Sequence, residues 1–457
     1  MRTFLISLIR QVRASYWFLP SVMVLLAFVL ASGTRRLDLV IDAEALRGFG
    51  PLSVASPGGA RAILSAIAGS IISVAGVTFS ITIATVSFAS GNYGPRLIGN
   101  FMRDRANQAT LGIFIATFVY AILILGSVRQ SGEAGEIEAF IPYASLLVTL
   151  VLALISIGML IYFFHHVPES IDIQHLTTEI GGQLRDKMTD LFPNDYDGSD
   201  EVEALGEDFD KAAEGRERIS IAAGKDGYVE TIDTASIERL AEEEDLLIDL
   251  QYAPGDFLTR EDVLMDVMPP AGVSEGVADK LRSMFSVGKQ KTPDQNVLFL
   301  VDTLVEIAGR ALSPGINDPQ TAAACFNWLH VGANAYGSRD EEAGHGPHRV
   351  KISTMTFDQF VSRSFSAVRP YAATDRNAAL HLVTVLTEVA VRLPAGRRLA
   401  RIEEELRSLV DEVEALNGNA TWTSEVNERF KLAQRALRSQ DARLALRNEA
   451  AWFEGRA

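Results

Sequence analysis

Hydroxyl groups that could line a polar path are concentrated in one long apolar segment of the chain. Residues 62–90 form a run of 29 positions without a charged side chain. As a helix, such a run extends about 43 Å, beyond the roughly 30 Å of a bilayer's hydrocarbon core. The hydroxyl residues of this run are Ser65, Ser70, Ser73, Thr78, Ser80, Thr82, Thr85, Ser87 and Ser90. Hydroxyls of this kind can bond to carbonyls of their own helix, to a neighbouring helix, or to hydrated ions.

The spacing of the small residues in this segment predicts two stripes along the helix. One stripe follows steps of three and four residues and consists of Gly69, Ser73, Gly76, Ser80, Ala84 and Ser87. A shorter stripe consists of Thr78, Thr82 and Thr85. Small residues allow two helices to approach closely, so helix packing is one interpretation. The other is that copies of this helix surround an axis and that their hydroxyls line a pore.

A second group of polar residues surrounds a turn in the carboxyl-terminal half. The residues of this group are Ser313, Asn317 and Asp318 in the turn, and Asp302, Glu306 and Arg310 on the helix before it. A turn that contains Pro and Gly and ends in a helix-capping residue explains this pattern without any catalysis. If Asp318 were catalytic instead, Asp318→Ala would abolish turnover without lowering the yield of folded protein.

Other recognisable chemistry is absent from the sequence. It contains no arrangement of nucleophile, histidine and acid, no phosphate-binding loop and no metal-binding motif. The histidines His165, His166, His345 and His348 do not have the spacing of metal ligands. We therefore expect no cofactor, no bound metal and no enzymatic activity. A polar stripe of Asn377, His381, Thr384 and Glu388 predicts a hydrogen-bonded seam between two helices.

Hydropathy predicts four membrane spans, at residues 16–32, 62–90, 107–128 and 141–164. The first span is not followed by a typical signal-peptide cleavage site, so we expect it to remain in the protein. None of the spans contains Asp, Glu, Lys, Arg or His. Ion-coupled and proton-coupled carriers usually need such residues at depth, so their absence argues against an active transporter.

The loops between the spans indicate the orientation of the chain. Lys and Arg are more frequent before the first span and between the second and third spans than after the third, which places both termini in the cytoplasm. A short interfacial segment follows the second span, and Arg96, Arg103 and Arg105 in it are candidates for binding lipid head groups.

Charge is distributed unevenly along the chain. Residues 1–166 hold 11 Lys and Arg against 7 Asp and Glu, a net charge of +4, and because the whole chain carries −16, residues 167–457 carry −20. An acidic surface repels nucleic acid, so we expect no nucleic-acid partner. The single cysteine, Cys325, excludes an internal disulfide and fits a reducing compartment.

The soluble part divides into four predicted segments. Residues 167–210 are a juxtamembrane helix and an acidic linker, 211–270 a small β-rich module, 271–394 a helical domain, and 395–457 a carboxyl-terminal helical pair. In the β-rich module, Gly227-Tyr228-Val229 and Pro254-Gly255-Asp256-Phe257 resemble the barrel of biotinyl and lipoyl carrier domains, although the carrier lysine is missing. The predicted fold is an α-helical membrane protein with four transmembrane helices and a cytosolic α+β domain, which comprises a small β-barrel-like module and a helical bundle.

Several motifs together resemble one bacterial membrane-protein family, known as domain of unknown function twenty-two fifty-four. They are the run from Ser70 to Thr82, Gly94-Pro95-Arg96-Leu97, the segment from Asn100 to Arg105, the Ile161 to His166 end of the fourth span, and the segment from Ala311 to Pro319. The resemblance implies four spans and a cytosolic domain. The expected location of the protein is the bacterial inner membrane. The family name records no activity.

Three hypotheses about function follow from these patterns. The first is a homo-oligomeric, channel-like protein with a hydroxyl-lined central path and an acidic cytosolic vestibule that enriches cations. The second is a membrane scaffold whose helices only pack. The third, a membrane-bound enzyme, is disfavoured by the motif search. The expected partners are other copies of the chain, membrane lipid and ions.

Overall fold

The chain folds into two compact units. The computed structural model describes residues 15–40, 56–94, 104–129, 140–191, 209–337, 349–352, 355–418 and 420–438. One unit spans Leu8–Asp172, and the other consists mainly of Ile173–Ala457.

The first unit contains four helices that are long and apolar enough to cross a membrane. They are α1 (Phe18–Asp38), α2 (Pro57–Tyr93), α3 (Arg105–Leu125) and α4 (Tyr143–Ile171). The four predicted spans are thereby confirmed as helices. Helix α1 continues beyond its predicted end to Asp38 and α4 beyond its predicted end to Ile171, and the 37 residues of α2 include both ends of the predicted run.

Helix α3 is the centre of the first unit and packs against α1, α2 and α4. Its side chains Phe114, Tyr120 and Ile124 are fully buried. Gly112 allows α1 to lie close to α3, because a Cβ at this position would come within 2.4 Å of the sulfur of Met23. The outer faces of α1 and α4 carry large apolar side chains, which suit contact with lipid: Leu25, Leu26, Val29, Leu154, Ile157 and Phe164.

The second unit begins with α5 (Ile173–Leu191) and continues through a region of short strands and helices. These are β1 (Ile219–Ala222), β2 (Gly227–Ile232), α6 (Thr234–Glu243), β3 (Leu247–Leu250), β4 (Phe257–Leu258), β5 (Val263–Met268), α7 (Glu275–Ser283) and β6 (Phe285–Gly288). The remaining elements are α8 (Val297–Ala311), α9 (Pro319–Gly337), β7 (Val350–Ile352), α10 (Phe357–Arg363), α11 (Phe365–Ala372), α12 (Arg376–Arg392), α13 (Arg397–Asn417) and α14 (Thr423–Arg438).

The strands form two open sheets and not a barrel. One sheet has the order β1-β5-β3-β7 and the other the order β4-β2-β6. All described pairs are antiparallel except β3 with β7. Among the described strands, no edge of one sheet pairs with an edge of the other, so the barrel-like expectation is not confirmed. Strands β6 and β7 come from beyond residue 270, so the sheets extend past the predicted module.

Helix α5 belongs to the core of the second unit. Its apolar stripe of Leu176, Ile180, Leu184 and Met188 is buried, and the helix packs against α8 and α9. Gly181 makes this contact possible, because a Cβ there would lie 2.0 Å from the indole ring of Trp328. The sequence predicts this amphipathic helix correctly but does not show which surface covers it.

A buried carboxylate connects α13 to α11. Glu405 is 1% exposed. It accepts hydrogen bonds from Arg369 Nη1 at 2.5 Å, from Arg401 Nη1 at 3.2 Å and from Ser366 Oγ at 2.6 Å. A buried charge is stable only when paired and hydrogen-bonded in this way.

Replacement of this carboxylate is expected to destabilise the second unit. Glu405→Gln keeps the shape but removes the charge that compensates Arg401 and Arg369, so we expect the free energy of unfolding to fall by about 3 kcal/mol. Chemical denaturation of the full-length protein in detergent measures this change. The control Glu404→Gln removes an exposed carboxylate 3.5 Å from Arg401 and should cost less than about 1 kcal/mol. An equal effect of both variants would contradict the assignment.

Candidate functional site

The stripe of small residues on α2 faces away from the other described helices. Ser73, Gly76, Ser80, Ala84 and Ser87 are exposed. A Cβ added at Gly69 or Gly76 would meet no atom within 4 Å. Ser73 Oγ donates to the carbonyl of Gly69 at 2.8 Å, and Ser80 Oγ donates to the carbonyl of Gly76 at 2.9 Å. Each of these hydroxyl protons is therefore satisfied within α2 itself.

The threonine stripe on α2 has the opposite environment. Thr78 and Thr82 are buried, and Thr85 is half-buried. Thr82 Oγ1 donates to the carbonyl of Thr78 at 2.9 Å, and the hydroxyl of Tyr16 is hydrogen-bonded to the Thr82 side chain. The two predicted stripes thus do not line one surface, because one faces outward and the other faces the chain's own helices.

Further buried hydroxyls lie on α3, α4 and the end of α1. Thr117 Oγ1 and Ser156 Oγ are 3.1 Å apart, which joins α3 to α4 in the middle of the spans. Thr34 Oγ1 lies 2.8 Å from the hydroxyl of Tyr120, which also donates to the carbonyl of Ser145 at 3.4 Å. Sequence reasoning missed this group, and the signal that could have found it is the polar repeat Asn107, Thr110 and Thr117 along α3.

Carboxylates from other helices bind both ends of α4. At its amino terminus, Asp38 accepts hydrogen bonds from the backbone amides of Ala144 and Ser145 at 2.7 and 3.2 Å, and from Ser145 Oγ at 2.5 Å. At its other end, His166 Nε2 lies 2.7 Å from Asp104 Oδ2. Along α4, Ser145 and His166 are about 31 Å apart, close to the thickness of a hydrocarbon core.

The Asp104–His166 pair is part of a local cluster. Asp104 also caps α3, because its Oδ1 accepts a hydrogen bond from the amide of Ala106 at 2.9 Å. The ring of Tyr162 stacks on the ring of His166 with 5.3 Å between the centroids. Asp104 and His166 lie in two motifs that carry the family resemblance, but nothing in the sequence shows that they meet.

The lipid head-group candidates are only partly described. Arg105 is exposed at the first position of α3. Arg96 and Arg103 lie outside the described residues. A role in lipid binding stays a prediction for all three.

Each acidic residue of the polar group around the turn before α9 has a contact that explains its position. Asp318 caps α9, since it accepts hydrogen bonds from the amide of Thr321 at 3.1 Å and from its hydroxyl at 2.6 Å. Asn317 has a φ of +50°, a left-handed conformation that Asn tolerates. The other contacts are Ser313 Oγ to the carbonyl of Arg310, Asp302 with Arg363 and Glu306 with Arg310. These contacts favour the capping interpretation.

Of the predicted polar stripe, His381 and Glu388 lie between α12 and α9, whereas Thr384 accepts a hydrogen bond from Arg429 of α14 at 3.1 Å. His381 Nε2 is 2.8 Å from Asn327 Oδ1, and His330 Nδ1 is 3.8 Å from Glu388. Arg392 Nη1 approaches the other ring nitrogen of His330 at 3.4 Å. Burial lowers the pKa of His330 to about 4, Arg392 and His381 act in the same direction, and Glu388 opposes them.

The described part of the chain contains no group of three or more His, Cys, Asp or Glu residues that could hold a metal ion. His345 and His348 lie outside it. Cys325 is buried, and burial raises the pKa of its thiol above the usual range, which makes the thiol unreactive.

Comparison with known proteins identifies relatives whose activity is not recorded. A family model described as "Predicted membrane protein (DUF2254)" matches residues 13–388. Uncharacterised proteins from Mycobacterium bovis and from two strains of Mycobacterium tuberculosis are each 30% identical to the chain over 289 residues, which is 62% of this chain and 54% of theirs. The alignment thus spans about half the length of these relatives. No solved structure matches the chain.

The buried His330 predicts a loss of stability in acid. Its pKa is about 4 in the folded protein against an ordinary 6.5. Between these values the unfolded chain binds a proton that the folded chain does not, so the free energy of unfolding falls as the pH drops from 6.5 to about 4. The expected loss is about 3 kcal/mol. Denaturation of the full-length protein across this pH range measures it.

The control for this prediction is the replacement of a second histidine, which lies on an exposed surface. His330→Asn should remove the acid-dependent loss relative to the parent protein, whereas His175→Asn on the exposed face of α5 should leave it unchanged. The same pH profile for the parent and His330→Asn would show that His330 does not titrate as described.

Proposed function

The chain belongs to this DUF2254 family of predicted membrane proteins, and we propose that it assembles as a homo-oligomer in which copies of α2 surround a channel-like path. The observation that supports this proposal is the outward position of the small-residue stripe on α2. The bacterial inner membrane, with both termini in the cytoplasm, is the proposed location.

The argument for self-association rests on the contrast between α2 and the other spans. Large apolar side chains cover the outer faces of α1 and α4. Helix α2 also exposes large apolar side chains, such as Ile72 and Phe88. Beside them, its stripe of Gly69, Ser73, Gly76 and Ser80 forms a shallow surface where a second helix can approach closely. Lipid tails gain little from such a surface, whereas another copy of α2 gains close backbone contact.

The argument for a path rests on the same residues. Ser73 and Ser80 donate to their own helix, which leaves oxygen lone pairs that can accept from water or coordinate a cation. Residues 62–90 carry no charge, so the path itself would not repel either sign strongly. The net charge of −20 on residues 167–457, obtained from the sequence, would enrich cations at the cytosolic mouth. Ions, lipid and other copies of the chain are therefore the proposed partners, and no cofactor or catalytic role is proposed.

A membrane scaffold is the second candidate function. The internal hydrogen bonds of Ser73 and Ser80 also favour it, because a helix whose hydroxyls are satisfied can pack against a copy without leaving a path. The two candidates share the interface and differ in conduction.

Substitution on α2 tests the interface. Gly76→Leu places a bulky side chain in the stripe and should lower the number of copies per particle in native mass spectrometry. The control Val29→Leu adds bulk on the outer face of α1, away from α2, and should leave the assembly intact. A monomeric parent protein would contradict both candidate functions.

Conductance tests the path. In planar bilayers the parent protein should pass cations, and Ser80→Leu should reduce the current while Val29→Leu on α1 does not. An intact oligomer that is silent at all voltages and membrane tensions would rule out the channel and favour the scaffold.

A further inference from the structure

We propose that each four-helix unit also contains a proton path of its own, which runs inside the bundle along α3 and α4 from Asp104 and His166 to Asp38. The path does not depend on assembly through α2, since Ser73 and Ser80 lie on the opposite, outward side of that helix. The transported species is the proton.

Groups that exchange protons with water mark the two ends of the path. Side chains of Asp104 and His166 are 22% and 25% exposed, so water reaches them. At the other end, the half-buried Asp38 accepts a hydrogen bond from Ser145 Oγ. Carboxylates and imidazoles are side chains that can accept and donate protons in general acid–base chemistry. Because the two clusters hold opposite ends of α4, they lie on opposite sides of the membrane.

Two pairs of buried hydroxyls lie between the Asp38 end and the middle of the bundle. Next to Asp38 and Ser145 come Tyr120 and Thr34, which are in contact with each other. One helical turn along α3 from Tyr120, Thr117 contacts Ser156. All of these hydroxyl residues are buried. A hydroxyl group can accept one proton while it donates another, so a chain of them and intervening waters can pass a proton without any net reaction.

An apolar layer interrupts the path in the described conformation. Phe114 is completely buried and packs against Ile71 and Ala75 of α2. It lies on α3 one turn from Thr117, between that residue and the Asp104 end. Apolar constrictions of this kind close a path by excluding water. Phe114 is thus the proposed gate.

An unsatisfied polar atom lies on the far side of this layer. Asn107 is 4% exposed, and its Oδ1 is buried without a hydrogen-bond partner among the residues that the structure describes. Asn107 is three residues after Asp104 on α3, and positions three apart share a helix face. A water that donates to this oxygen would continue the path from Asp104 toward Phe114. Transfer causes no net reaction when each proton accepted at Asp104 or His166 is matched by one released from Asp38. The proton gradient and the membrane potential set the direction of this transfer.

Proton flux into liposomes tests this path. Full-length protein is reconstituted with a trapped pH-sensitive dye, and a potassium diffusion potential drives protons inward. Phe114→Ala should raise the flux several-fold above that of the parent protein, because it opens the apolar layer to water. Phe114→Thr, which adds a hydroxyl at the gap, is a second variant with the same expected gain. Size-exclusion chromatography and circular dichroism identify the variants that fold.

Two further sets of substitutions distinguish this path from a proton path at an axis between copies of α2. Thr117→Val with Ser156→Ala in the Phe114→Ala background should abolish the gain, whereas Ser80→Ala in the same background should leave it unchanged. If the raised proton flux survives Thr117→Val with Ser156→Ala but is lost with Ser80→Ala, the flux runs at an axis between copies of α2 and the inference is overturned. No gain in folded Phe114→Ala and Phe114→Thr proteins would overturn it as well.

Discussion

In a hydrocarbon environment, a polar group has no water to bind and must find its partner within the protein. This constraint explains the arrangement of the first unit. Several described hydroxyls of its spans bond to carbonyls one turn earlier or to a hydroxyl on a neighbouring helix, as for Thr149 and Thr117. The carboxylates of Asp38 and Asp104 lie at opposite ends of α4. The interior is therefore polar in places without containing a formal charge.

Two polar surfaces result from this arrangement, and they favour different functions. The outer surface on α2 is not covered by the other described helices and is suited to a second copy. The inner surface on α3 and α4 is already covered and joins two groups of titratable side chains, with Phe114 between them. A path between copies would admit hydrated ions, whereas the closely packed interior has room only for single waters and protons. The two proposals thus concern different permeant species as well as different places.

Some of this structure follows from the sequence and some does not. Length and hydropathy predict the four spans, because a membrane helix must be long and apolar. Periodicity predicts both stripes on α2 but not which neighbour each one faces, since a helical pattern defines only a face. The contact between Asp104 and His166 joins residues 62 positions apart and needs the tertiary fold. The extent of the sheets does not follow from the sequence for a similar reason: strand pairing is nonlocal, and β2 pairs with β6 from beyond the predicted module.

The position of α5 determines where a soluble fragment of this protein should begin. The sequence predicts an acidic linker that ends at residue 210, and a fragment that starts after it would lack α5. Leu176, Ile180, Leu184 and Met188 would then be missing from the core, and the surfaces of α8 and α9 that they cover would be exposed to water. Such a fragment is expected to aggregate, because large uncovered apolar surfaces drive association. A fragment that starts at Ile173 retains the helix and the Gly181 contact with Trp328, and is the appropriate starting point for crystallisation of the second unit.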